Sequence, residues 1–156
     1  MALNDIATGQ LASVVKDAER LAGLRGIAGS MGETPPDPAA PVREIPARLG
    51  DRWSTLILLV LQTGSYRHAE LKRTISVLSY EKSISQRMLT LRLRMLERNG
   101  LVERKVTPTI PPRVDYSITQ FGDELTTKFF QLVRWIQSND ARIYAARSKF
   151  DSQNIS

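Results

Sequence analysis

Residues 84–104 read ISQRMLTLRLRMLERNGLVER, and this stretch decides the fold. Its apolar residues recur at steps of three and four, which predicts one helix that ends at Asn99-Gly100. Ser83 and Gln86 have the spacing of a capping box, so we expect the helix to begin there. The side chains expected to face the core are Ile84, Met88, Leu89, Leu93 and Leu96. The opposite face is polar, with side-chain types that reach base edges and phosphates: Ser83, Gln86, Arg87, Thr90, Arg94 and Glu97.

Positive charge concentrates in this helix and in the strand expected after it. Between residues 82 and 105, seven Lys or Arg stand against two Glu, a net charge of +5, whereas the whole chain carries +6. Such clustering is typical of a surface that binds a polyanion such as DNA. A merely solvated helix face uses the same residue types, so charge alone leaves both interpretations open.

The neighbouring segments predict two helices before this one and a hairpin after it. A helix that is apolar nearly all round is expected over 52–62 and a short one over 69–75. Strands are expected over 101–106 and 113–118, joined by the stiff loop TPTIPP, and Thr119 is expected to cap a long helix. A short helix pair followed by a hairpin predicts a winged helix-turn-helix, whose second helix enters the major groove.

The expected fold class is therefore mainly α with a small antiparallel β-hairpin, a winged helix-turn-helix with N- and C-terminal dimerisation helices. An N-terminal helical extension is predicted over 1–28, its helix running over 4–25 and being loosened by Gly23, Gly26 and Gly29. Residues 29–41 are predicted to be a linker, because they contain four prolines and two glycines. The DNA-binding domain with its long C-terminal helix is expected over 42–137 and a C-terminal helical tail over 138–156.

Missing residue types exclude several classes of site. The sequence contains no cysteine and one histidine, so disulfides, thiolate or multi-histidine metal sites and thiol redox sensing are excluded within it. No nucleophile signature or phosphate-cradling glycine loop is present, and we expect no enzyme and no cofactor. The longest apolar run, Leu56–Leu61, is far shorter than the roughly 20 residues that cross a bilayer. No secretory signal is visible, so a cytoplasmic protein without a membrane partner is expected.

Four stretches together resemble the HxlR-type regulators, relatives of the MarR group, from about Val42 to Ile136. They are LGDRWSTLIL at 49–58, AELKR at 69–73, the opening stretch at 84–104 and TPTIPPRVDYSITQFGDEL at 107–125. The resemblance implies a bacterial-type transcriptional regulator that binds double-stranded DNA as a homodimer. The helix at 84–98 would be the recognition helix and 101–118 the wing. Two-fold symmetry would place two recognition helices about 34 Å apart on an inverted-repeat operator.

Three groups of site residues follow from the pattern and the resemblance. DNA contacts are expected from Ser83, Ser85, Gln86, Arg87, Thr90, Arg94, Lys105, Thr107, Thr109 and Arg113. A dimer interface is expected from Leu11, Val14, Leu21, Phe129, Leu132 and Ile136. Trp53, Phe121 and Trp135 are candidates for an aromatic ligand pocket, although ordinary core and dimer packing is the favoured interpretation.

The chain departs from the family pattern at several positions. His68 and Ala69 stand where an aromatic and a capping residue are usual, so we expect a loosely capped helix with His68 packed beneath the helix pair. The segment over residues 76–83, which precedes the expected recognition helix, is longer than is usual in the family. Leu91 stands where glutamine is common and either touches a thymine methyl or turns inward. Many relatives sense oxidants or electrophiles through a cysteine near the first helix, a mechanism that cannot apply to a sequence without cysteine.

Two alternatives stay open at this point. Winged helices also serve as protein-interaction modules, although the clustered positive charge argues against that reading. The second alternative is a regulator whose DNA binding requires a small-molecule effector, which the sequence does not identify.

Overall fold

The computed structural model describes residue 12 and residues 18–30, 40–79 and 83–153. The chain divides into two compact units, residues 1–51 and 52–156. The predicted domain boundary at residue 42 differs from this division, because the helix that starts at Pro41 belongs to the first unit. The predictions for Leu11 and Val14, most of the predicted linker and the charge of Lys82 lie outside the described residues.

The first unit contains helix α1, Ala18–Ser30, and helix α2, Pro41–Leu49. Because α1 continues through its three glycines, the prediction that they loosen the chain after residue 25 is wrong. A glycine inside a helix costs only about 1 kcal/mol of stability relative to alanine, and this cost does not prevent the helix from continuing. Pro41 suits the first turn of α2, where its missing N–H has no helical partner to lose.

The core of the second unit forms around helix α3, Arg52–Gln62, whose bounds match the prediction. Ile57, Leu58, Val60 and Leu61 are buried, and Ser54 is buried beside them. A helix this apolar is stable only when surrounded by other elements, which is where the structure has it.

A small antiparallel sheet of three strands follows, with β1 (Tyr66–Arg67) at one edge, β3 (Arg113–Ile118) in the centre and β2 (Val102–Thr107) at the other edge. Strands β2, Val102–Thr107, and β3, Arg113–Ile118, form the predicted hairpin, in register from Val102 opposite Ile118 to Thr107 opposite Arg113. Strand β1, Tyr66–Arg67, was not predicted, because two residues are too few to show a strand period. The winged helix-turn-helix order and the mainly α fold class are confirmed.

Helix α4 is His68–Leu78, and its start differs from the prediction. Arg67 is the N-cap residue, and its backbone N–H donates to Glu70 Oε2 over 3.0 Å. Ala69 lies inside the first turn rather than at the cap, and the side chain of the N-cap residue Arg67 makes no cap bond, so Glu70 supplies the side-chain bond at this helix start. The Glu70 side chain satisfies one of the free amide groups that every helix start exposes.

Helix α5, Gln86–Arg98, is the helix predicted from the opening stretch, but it begins later than expected. Its N-cap is Ser85, whose Oγ accepts from Met88 N over 3.1 Å, so the predicted capping box of Ser83 and Gln86 is wrong. Ile84 is buried just ahead of the helix, and the chain turns helical only after this anchor. Met88 is 36% exposed, so its prediction as a core residue is also wrong.

Helix α6, Gln120–Ser138, and helix α7, Asp140–Gln153, complete the chain. The predicted cap of α6 is confirmed, since Thr119 Oγ1 accepts from Gly122 N over 2.9 Å. The same hydroxyl donates to Gly100 O over 2.7 Å, and Thr119 N donates to Leu101 O over 3.1 Å. A Cβ at Gly122 would overlap the Leu101 carbonyl oxygen, so the start of α6 packs directly against the turn that ends α5.

Candidate nucleic-acid interface

The outward face of α5 carries the polar stripe that the sequence predicted. Gln86, Arg87, Thr90 and Arg94 are exposed at steps of one to four residues, while Leu89, Leu93 and Leu96 on the other side are buried. Leu91 is 53% exposed, so of its two predicted orientations the outward one is observed. The ten predicted DNA-contact residues are exposed except for the half-buried Thr107: Ser83, Ser85, Gln86, Arg87, Thr90, Arg94, Lys105, Thr107, Thr109 and Arg113.

Internal bonds divide the residues of this stripe into held and free side chains. Thr90 Oγ1 donates to Gln86 O over 2.9 Å, and Arg94 Nη1 lies 3.5 Å from Glu97 Oε2. Within the described part of the chain, the side chains of Gln86 and Arg87 have no hydrogen-bond or ion-pair partner. These two are therefore the side chains of α5 most available to a ligand.

His68 connects the helix pair to the sheet. Its ring is half-buried and meets the Tyr116 ring edge-on, with centroids 6.3 Å apart, as the expected packing beneath the helix pair requires. Its Nε2 also lies 3.0 Å from Thr90 Oγ1 on α5. Burial, and to a smaller extent the positive charge of Lys72, lowers the pKa of this imidazole below its usual value.

The wing formed by β2, β3 and their loop carries its charge on the strands and none in the loop that forms its tip. Lys105 stands opposite Asp115 in the strand register, and Arg113 Nε donates to both Asp115 carboxylate oxygens, at 2.7 and 3.0 Å. The hydrogen bond from Arg113 holds the pKa of Asp115 below its usual value. Between Lys105 and Arg113 there is no charged residue, and Ile110 at the tip is fully exposed.

The residues predicted for dimerisation and for an aromatic pocket lie in different settings. Leu132 and Ile136 are 52% and 40% exposed, while Phe129 and Leu21 are half-buried. Phe121 and Trp135 are 56% and 61% exposed on the same helix. Fourteen positions at 1.5 Å each separate them by about 21 Å, so these two residues do not line one pocket in a single chain.

A recess that was not predicted opens between the starts of α4 and α5. Its volume is about 310 Å³, and its walls are His68, Ala69, Lys72, Arg73 and Gln86. The only signal for it in the sequence was the adjacent Lys72-Arg73 pair, which the predictions did not use. Among the described residues, no group of three or more His, Asp or Glu is placed to hold a metal ion.

Comparison with known proteins gives the family. The sequence profile of the HxlR-like helix-turn-helix proteins matches residues 48–144, more than half of the chain. The chain belongs to the HxlR-like helix-turn-helix family. The matched range of this HxlR-like chain contains the helix pair, the wing, α6 and the first residues of α7.

Individual relatives of the HxlR-like chain are similar over most of their length. YtfH of Escherichia coli K12, an HTH-type transcriptional regulator, is 34% identical over 109 residues, which cover 70% of this chain and 82% of the relative. The structure of diamide-treated YodB from Bacillus subtilis has a TM-score of 0.55 at 36% identity and is covered over 93% of its length, against 64% of this chain. The reduced form of the redox regulator HypR has a TM-score of 0.55 at 35% identity, covering 99% of that chain and 68% of this one.

In residues 18–30, 40–79 and 83–153, no helix is both long enough and apolar enough to span a membrane.

Proposed function

We propose that this HxlR-like chain is a transcriptional regulator that binds a specific DNA sequence by inserting α5 into the major groove. The observation that carries the proposal is the exposed stripe of Gln86, Arg87, Thr90 and Arg94 on the second helix of a helix-turn-helix that is followed by a wing. This is the arrangement in which a recognition helix presents side chains to base edges. Membership of a family whose relatives are named transcriptional regulators supports the same function.

The stripe divides into base-reading and phosphate-binding residues by chemistry. Arginine pairs bidentately with guanine and glutamine with adenine, so Arg87 and Gln86, which have no partner among the described residues, are the residues that read bases. Lys105, Thr109 and Arg113 on the wing contact the sugar-phosphate backbone. Phosphate contacts provide much of the affinity, and binding therefore weakens steeply as salt rises.

The regulator acts as a homodimer on an inverted repeat. Its C-terminal helices carry an exposed apolar stripe, and patches of this kind on a single chain mark protein contact sites. The stripe consists of Phe121, Leu132, Trp135 and Ile136 on α6. Pairing of α6 and of the N-terminal helix with their mates gives two recognition helices about 34 Å apart, one for each half-site.

The signal to which the regulator responds is not the oxidation of a cysteine within this sequence. HypR is named a redox regulator, but the 156 residues of this chain contain no cysteine whose thiolate could be oxidised. The protein acts in the cytoplasm, where bacterial DNA is located, and it performs no catalysis.

Fluorescence anisotropy tests the proposal directly. The purified chain is titrated into the duplex upstream of its own gene and into a scrambled duplex, over a series of KCl concentrations. Tighter binding to the upstream duplex, with a steep salt dependence, is the expected result. Equal and weak binding to both duplexes at every salt concentration would contradict sequence-specific binding and favour a protein partner or a required effector.

A further inference from the structure

One apolar side chain stands in the middle of the exposed face of α5. Leu91 is the sixth of the 13 residues of this helix, and at 53% it is the most exposed apolar residue in it. At about 100° per residue, its side chain lies about 160° around the helix from those of Leu89 and Leu93, which are buried in the core. Leu91 is therefore turned away from the core almost as far as a helical residue can be.

The surroundings of Leu91 are cationic. Three exposed arginines share one line of the helix surface with it, at steps of three or four residues: Arg87, Arg94 and Arg98. Met88, three residues before Leu91, is 36% exposed beside this line, so Leu91 is not an isolated apolar residue. The arginines favour a polyanionic partner. The leucine between them gains free energy only from an apolar group on that same partner, because only such a contact removes its surface from water.

The major groove of DNA presents an apolar group of this kind. Thymine carries a C5-methyl group on its groove edge, whereas adenine, guanine and cytosine present hydrogen-bonding atoms there. Apolar side chains recognise thymine through contact with this methyl group, and they form no hydrogen bond to the other three bases. A leucine at the centre of a recognition helix is therefore suited to select thymine.

We propose that Leu91 is a specificity-determining residue, which selects a thymine by packing against its C5-methyl group. The inference rests on the proposed function and deepens it, since it names the base that is read from the centre of α5. One helical turn of about 5.4 Å separates Leu91 from Arg87, and successive base pairs are about 3.4 Å apart. The selected thymine therefore lies within about two base pairs of the guanine that pairs with Arg87, and each half-site contains both bases.

Selection of binding sites from a pool of random duplexes gives the first test. The full chain and its Leu91→Ala variant, whose side chain ends at Cβ, each enrich duplexes from the same pool. The wild type should require a thymine at one position of each half-site, within about two base pairs of a required guanine. Leu91→Ala should accept any base at that position and still require the guanine. An identical thymine requirement in the two proteins would overturn the assignment.

A second measurement isolates the methyl group itself. In one half-site of the selected duplex, the thymine is replaced by deoxyuridine, which keeps the hydrogen-bonding groups but lacks the methyl. By fluorescence anisotropy, the wild type should bind this duplex about three- to fivefold more weakly, the factor expected for one methyl group left unburied. The ratio of the two dissociation constants should be close to one for Leu91→Ala. It should persist in Leu91→Met, which keeps an apolar side chain of similar reach.

An equal ratio in the wild type and in Leu91→Ala would mean that the methyl group acts through the shape of the duplex, and it would overturn the role of Leu91. Leu78→Ala is the matched control, because it truncates a leucine of similar exposure, 56%, at the end of α4. This control should leave both the thymine requirement and the deoxyuridine ratio unchanged.

The selection also separates failure of this inference from failure of the proposed function. If the wild type enriches a defined site that contains no required thymine, only the assignment to Leu91 is wrong and sequence-specific binding stands. If the wild type enriches no sequence, the proposed function is wrong and the role of Leu91 fails with it.

Discussion

Arg87 is the residue on which the proposed base reading depends most. It is exposed and has no partner in the described residues, so its replacement breaks no hydrogen bond or ion pair among them. We expect Arg87→Ala to weaken binding to the upstream duplex by about 1–3 kcal/mol, roughly five- to 150-fold, by anisotropy. Its unfolding free energy should stay within about 0.5 kcal/mol of the wild type. Wild-type affinity in this variant would mean that α5 is not the recognition helix.

Gly122 allows the close contact between α6 and the turn after α5. A Cβ there would overlap the Leu101 carbonyl oxygen and lie 2.9 Å from Ile118 Cγ1, and backbone cannot move aside as a flexible side chain can. We expect Gly122→Ala to lower the unfolding free energy by about 1–3 kcal/mol or more, measured by urea denaturation.

Gly26→Ala is the matched control, since it makes the same change in a helix where nothing lies within 4 Å of the added carbon. It should be neutral or stabilising by up to about 1 kcal/mol. Equal losses in the two variants would contradict the steric explanation for Gly122.

His68 gives the stability of the fold a pH dependence that can be assigned to one residue. Burial, followed by the charge of Lys72, lowers its pKa in the native state, so between that value and 6.5 the unfolded chain binds more protons than the native one. Stability therefore falls as pH drops through about 6.5. We expect urea denaturation at pH 7.5 and 5.5 to show this loss, and His68→Gln to reduce the difference between the two values. If the unfolding free energy of the variant differed between the two pH values as much as that of the wild type, His68 would be excluded as the cause.

The start of α5 shows how a tertiary contact chooses between two local signals. Ser83 and Ser85 can each cap a helix, but the bond to Met88 N is made by Ser85. We expect Ser85→Ala to lower the unfolding free energy by about 0.5–2 kcal/mol, and Ser83→Ala to leave it nearly unchanged. Thermal and urea unfolding followed by circular dichroism would measure both losses. A larger loss in Ser83→Ala than in Ser85→Ala would instead support the predicted capping box.

The elements that could be predicted from sequence are those decided by one strong local signal. The apolar run of α3, the β-branched residues of β2 and β3 and the hydroxyl of Thr119 each leave one reasonable assignment. The end of α5 at Asn99-Gly100 was predicted, but its start was not, because two serines offer a local cap and Ile84 is buried between them. Strand β1 exists only through its pairing with β3, so no local pattern marks it.

The candidate site also has one part that could be predicted from the sequence and one part that could not. The stripe on α5 follows from helical periodicity, and its residues are exposed as predicted. The recess brings Lys72 and Arg73 beside Gln86, which is at least 13 positions away in the sequence. That juxtaposition depends on the angle and position at which α4 and α5 pack against each other, and no local sequence pattern predicts either.

The proposed dimer is a property of the whole molecule, and the exposed stripe of α6 provides its test. Leu132→Asp places a charge in the proposed interface, but the residue is 52% exposed in the single chain, so the fold itself should survive. We expect the dissociation constant of the dimer, from sedimentation equilibrium, to rise by at least about tenfold, with an unchanged circular dichroism spectrum.

Thr127→Asp is the control for this change. It adds the same charge to an exposed position of α6 on a different side of the helix from the apolar stripe, and the dimer should persist. A dimer that persists equally in Leu132→Asp would exclude this face as the interface.

The contact of Thr119 and Gly122 with the turn at Gly100 and Leu101 has a mechanical consequence. It fastens one end of a 19-residue helix, about 28 Å long, to the end of α5. In the proposed dimer, each α6 is then a rigid lever that carries one α5 at its end. A tilt of about 5° where the two α6 helices cross displaces each α5 by about 2.5 Å over that length. A small change far from the DNA would therefore alter the distance between the two α5 helices, and with it the spacing of half-sites that the dimer fits.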